Sequence, residues 1–97
     1  MKSMTLAAVV FAGIVPAIAY AQEDLARRSG CLNCHAVESG GRRMPASSFQ
    51  EIAAKFKGNP DAEAKLVAGT MNPPHPPIRG SADDVKALSA WILTLAK

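Results

Sequence analysis

The sequence predicts an all-α domain of about four short helices. No stretch alternates apolar and polar residues for long enough to make a strand, and several segments place apolar residues at helical spacing between start and stop signals. With 97 residues, 48% of them hydrophobic and 20% charged, the chain has room for one domain.

The first element is a leader. Met1-Lys2-Ser3 is a short positive start, and an apolar run from Met4 to Ile18 follows, broken only by Thr5, Gly13 and Pro16. Ala19-Tyr20-Ala21 puts small residues where a signal peptidase inspects them, directly before polar Gln22-Glu23-Asp24. Residues 1–21 are therefore expected to be a cleaved secretory signal. The run is shorter than the roughly 20 apolar residues that span a bilayer, so no membrane span is expected in the mature form, residues 22–97.

The helices follow in order. Glu23 to Ser29 forms the first, ended by Gly30 in a left-handed cap. Ser48-Phe49-Gln50-Glu51 is a capping-box start, followed by Ile52, Ala53 and Phe56 at helical spacing until Gly58. Asn59-Pro60 opens a third helix, with Asp61 and Glu63 in its first turn, running to Gly69. Ser81 caps the last, in which Val85, Leu88, Trp91, Ile92 and Leu95 make one apolar stripe down to the C-terminus. The stretches 35–47 and 70–80 are loops, the second extended and stiff because it holds four prolines.

A domain this small buries too little apolar surface to fold easily on its own, and small secreted domains add disulfides, a metal or a cofactor. The chain has two cysteines, Cys31 and Cys34, and a disulfide between them would close too short a loop to staple a domain. Losing the leader removes Lys2 from the eleven basic residues, leaving ten against eight acidic. That excess is too small and too dispersed for a nucleic-acid partner.

Cys31-Leu32-Asn33-Cys34-His35 is a Cys-x-x-Cys-His haem-attachment pentapeptide. Two thiols at this spacing reach the two vinyl groups on one edge of a porphyrin, and the next residue brings its imidazole to the iron. A redox dithiol of thioredoxin type normally follows a strand, which is missing here. A zinc site built from Cys31, Cys34, His35 and His75 is disfavoured because His35 adjoins Cys34 and the second ligand pair lacks close spacing.

Three segments together resemble the small bacterial class I cytochromes c: Arg28 to Val37 around the haem motif, Phe49 to Phe56, and Asp83 to Leu93. The resemblance covers nearly the whole mature chain. It implies that family's fold, with first and last helices crossing near Gly30 and Trp91 and the rest wrapping one covalent haem c. It also implies an electron carrier rather than an enzyme, working in the periplasm between a dehydrogenase or other donor and an oxidase or reductase acceptor. Such a carrier acts as a monomer or as a subunit of a redox complex. The competing class is a haem sensor or peroxide-reactive protein, which needs a displaceable distal ligand.

The family's proximal imidazole donates to a proline carbonyl shortly before the second helix. Pro45 is the only proline in that stretch, but it lies about two residues further from Phe49 than the family pattern places it. On the distal face the family supplies a methionine from the loop before the last helix, which makes Met71 the expected sixth ligand. His75 is the alternative, because it lies sixteen residues before Trp91, where the family methionine commonly stands. Met44 is expected to pack or lie on the surface. Phe49, Phe56, Leu88, Trp91, Ile92 and Leu95 are the expected core against the porphyrin. Arg27, Arg28, Arg42, Arg43, Lys55 and Lys57 are either a ring that steers an acidic partner or an ordinary solvated surface.

Overall fold

The structure is a computed structural model that describes residues 21–96. Apart from Ala21, the leader expected from the sequence lies outside the described residues. Among those described there are helices, turns and loops but no strand, as the sequence predicts.

Residues 21–28 form helix α1. Its closing turn bonds Ser29 N–H to the Leu25 carbonyl and Gly30 N–H to the Arg27 carbonyl, and Gly30 then turns left-handed at φ 90°. A side chain there would favour the right-handed region and carry the backbone away from the turn that follows. That turn is a short 3₁₀ segment over Cys31–Asn33, absent from the sequence-based expectation.

Helix α2 spans Phe49–Lys55 and starts where the capping box predicts. The Ser48 hydroxyl accepts from Glu51 N–H at 3.0 Å, and the Glu51 carboxylate accepts from Ser48 N–H at 2.9 Å, so two otherwise orphaned donors are satisfied. Loop 35–47 is sewn to this helix start: Phe49 N–H donates to the Ala36 carbonyl, Gln50 N–H to Val37, and Ala46 N–H to Cys34. The Ser39 and Ser48 hydroxyls add a 2.8 Å bond.

Helix α3 spans Ala62–Met71 and departs from expectation at both ends. It starts later, because Asn59 Oδ1 takes the Asp61 N–H at 2.8 Å and holds Pro60 and Asp61 in a turn. It continues past Gly69 because Thr70 Oγ1 donates to the Leu66 carbonyl at 2.8 Å and the Asn72 amide donates to the Ala68 carbonyl at 2.6 Å. Asn72 thus supplies a partner for a terminal carbonyl, and Pro73 prevents further helix. Thr70 and Met71 are helical rather than part of the loop. What remains, residues 72–80, is not extended throughout, since His75 N–H donates to the Asn72 carbonyl across a turn.

Helix α4 spans Ala82–Leu93 behind a second capping box, formed by Ser81 and Asp84, and ends in a turn before the C-terminus. Both α2 and α3 pack against it. The core joins Ala26 of α1, Phe49 of α2 and Leu88 of α4, which are 0%, 2% and 4% exposed. Around them Leu32, Ile52, Ile78, Trp91, Ile92 and Leu95 are only partly buried. Each fully covered Phe or Leu is worth about 1.5–3 kcal/mol. So small a buried set, with so much half-covered apolar surface around it, leaves much of that gain to whatever covers those side chains.

Candidate functional site

Gly30 delivers the chain into the 3₁₀ turn, where Cys34 N–H and His35 N–H both donate to the Cys31 carbonyl, at 3.2 and 3.0 Å. The pentapeptide is therefore one wound turn with both thiols unpaired, Cys31 half-buried and Cys34 exposed. Burial pushes the Cys31 thiol above its ordinary range, against a smaller downward pull from a backbone hydrogen bond. Among the described residues no three His, Cys, Asp or Glu side chains converge on a common metal position, so the zinc alternative finds no support.

The His35 ring is oriented from two sides. Its Nδ1 lies 2.6 Å from the Ser47 carbonyl, and a carbonyl only accepts, so Nδ1 carries the proton and donates. In a neutral ring the free lone pair is then on Nε2. Its face lies 5.2 Å from Phe49 at an interplanar angle of 26°, and Phe49 in turn meets Trp91 edge-on at 5.8 Å. The acceptor is Ser47 rather than Pro45, which stands two residues too early. The loop keeps the acceptor's register next to α2 and changes the residue that supplies it. Ser47 carries no sequence signal, because every residue has a carbonyl; only its position immediately before the capping serine could have marked it.

His75, half-buried, lies across from His35 with ring centroids 6.3 Å apart and planes within 7° of parallel. Its Nδ1 sits 2.7 Å from the Pro76 carbonyl, which again puts the proton on Nδ1 and the lone pair on Nε2. Met71 is placed otherwise: it is the last residue of α3 and 52% exposed. Met44 is half-buried in a cavity of about 440 Å³ that it shares with Glu38, Arg42 and Arg43, and none of Cys31, Cys34, His35, Met71 or His75 lines that cavity. Arg27 and Arg28 reach back to Glu23 and Asp24 within α1, in exposed pairs of the kind that add little stability.

These residues fit a haem c. Two thiols share one turn, an imidazole beside them is fixed through Nδ1 with Nε2 free for iron, and a ring of half-buried apolar side chains suits a large flat apolar group.

No family model matches the chain. It is 38% identical over 80 residues to cytochrome c-551 of Allochromatium vinosum, an alignment covering 73% of this chain and 82% of that protein. It is 31% identical to cytochrome c-551 of Pseudomonas aeruginosa over 97% of this chain and 98% of the relative. The crystal structure of the class 1 cytochrome MtoD from Sideroxydans lithotrophicus superimposes with a TM-score of 0.64 at 29% identity, covering 79% of this chain and 95% of that one. Shared sequence over most of the chain, the all-helical fold and a matching solved structure agree, and the chain belongs to the class I c-type cytochromes, electron carriers with a covalently attached haem c.

Proposed function

We propose that this chain carries one electron at a time in the bacterial periplasm on a single haem c, joined by thioethers to Cys31 and Cys34 and ligated on its proximal face by His35. The observation that supports this reading is the 2.6 Å bond from His35 Nδ1 to the Ser47 carbonyl, which leaves the Nε2 lone pair free for a metal. When bound, the haem supplies a one-electron iron couple.

The chain's own residues do the rest. The Ser47 carbonyl holds the His35 proton on Nδ1, fixes the ring's orientation and makes it a better electron donor. Phe49 and Trp91, packed in series behind His35, keep that side of the ring apolar and limit water access, which restrains reorganisation when the charge changes. The leader pattern of residues 1–21 supports export, and a dehydrogenase or other donor and an oxidase or reductase acceptor are the partners proposed. Among the described residues no helix is long and apolar enough to cross a membrane.

Expression of the full chain in a bacterium with a c-type maturation system tests the reading. Periplasmic protein starting at Gln22, with the mass of one covalent haem, is expected. Cys31→Ala with Cys34→Ala should abolish attachment. A wild-type product without haem, or a double variant that keeps it covalently, overturns the assignment. Tight carbon monoxide binding by the ferrous wild type would instead favour the ligand-sensing class.

A further inference from the structure

We infer that His75 is the distal iron ligand, so that the haem is held between two imidazoles and Met71 has no bond to the iron; this rests on the chain binding haem c through Cys31, Cys34 and His35. A metal-bound imidazole nitrogen lies about 2 Å from the metal and the ring centre about 1 Å beyond it, so two imidazoles on opposite sides of one iron have centroids about 6 Å apart. His35 and His75 stand at 6.3 Å with planes 7° from parallel. Two small rings at that separation overlap little if they touch directly, and gain little by doing so. The distance is the one an intervening metal requires.

The hydrogen bonds agree independently of the distance. Each ring gives its Nδ1 proton to a backbone carbonyl, His35 to Ser47 and His75 to Pro76, and each is left with Nε2 as its only available donor to a metal. A histidine that is merely exposed in a loop has no need of a fixed tautomer. His75 also sits in a stiff frame: prolines stand on both sides of it, and its own N–H is tied to the Asn72 carbonyl. A ligand in such a frame loses little conformational freedom on binding.

Met71 faces the opposite constraints. It belongs to the last turn of α3, which Thr70 and Asn72 close through their side chains, and about half of it is exposed. Ligation through its sulfur would cost the rotamer freedom of a side chain that stands half exposed on that helical turn. The chain offers a preoriented nitrogen four residues later at no such cost.

The test is spectroscopic, on the matured holoprotein. Ferric wild type should be low-spin and lack the weak red charge-transfer band of a methionine-ligated haem, and Met71→Leu should leave its spectrum and reduction potential unchanged. His75→Ala should become high-spin in the ferric state, bind carbon monoxide in the ferrous state, and return to low spin on adding imidazole. His75→Met should gain the red band and a higher potential, since a thioether raises the potential relative to a second imidazole. It also keeps the test decisive if His75→Ala fails to accumulate. A red band in the wild type that Met71→Leu removes overturns the inference, as does a His75→Ala protein that stays low-spin without added imidazole. Failure of the underlying reading looks different, because the wild-type product would then carry no covalent haem at all.

Discussion

At Gly30 the backbone enters a conformation that L side chains avoid, and this position supports the first thiol of the haem motif. A Cβ built there meets nothing closer than Asn33 Nδ2 at 3.8 Å, so space is available and only the φ of 90° resists substitution. Gly30→Ala should lower the stability of the holoprotein by about 1–2 kcal/mol, the cost of a left-handed alanine. The urea midpoint should fall while the haem spectrum stays unchanged; an unaltered midpoint would mean that the turn relaxes freely. Cys31, Cys34 and His35 stand out in the sequence because their chemistry resides in side chains at a fixed spacing. Ser47 was not, because a backbone carbonyl leaves no trace in residue identity. In the sequence Met71 and His75 are rival ligands, because the end of α3 depends on two side-chain bonds, from Thr70 and Asn72, that propensity alone does not weigh.

At the scale of elements, the capping box at Ser48 and the cap at Ser81 form where the sequence places them, with Asp84 completing a second box, since such motifs are local and their partners lie three residues away. The α2 box gives the molecule a dependence on pH. The Ser48 N–H, and then the Ser48 hydroxyl, hold the Glu51 carboxyl below its ordinary value of 4.5, with a smaller contribution from Lys55. The folded state therefore prefers the ionised form. The stabilisation is complete above the ordinary value and is lost as pH falls through the lowered one. Glu51→Gln should show a shallower loss of urea stability between about pH 5 and pH 3 than wild type. Parallel acid limbs for the two proteins would mean that the exposed carboxylate is too well solvated to matter. What sequence did not show at this scale was how loop 35–47 lies on the helix start, because Phe49, Gln50 and Ala46 make that contact through backbone bonds.

For the whole molecule, the fold class was legible because each helix carries its own apolar spacing and end signals. Of the six residues expected to form the core against a porphyrin, Phe49 and Leu88 are fully covered by the protein itself, while Phe56, Trp91, Ile92 and Leu95 are half-covered by protein neighbours. Periodicity identifies the inward face of a helix but not how much of that face a neighbour covers. Leu88, one of three residues that join α1, α2 and α4, is thus a point at which the fold is vulnerable. Leu88→Ala should cost about 2–5 kcal/mol, read from thermal unfolding of the holoprotein. A cost below about 1 kcal/mol would mean that the site collapses around the missing methyls or that the haem replaces the contact. The exposure of Met71 also bears on how such a carrier ages. Thioethers at a protein surface are readily converted to sulfoxides by peroxide. In a carrier whose iron depends on that sulfur, each such event disables a molecule. Here that side chain already faces solvent, and with His75 as the proposed ligand its oxidation is expected to fall away from the iron and leave the haem spectrum unchanged.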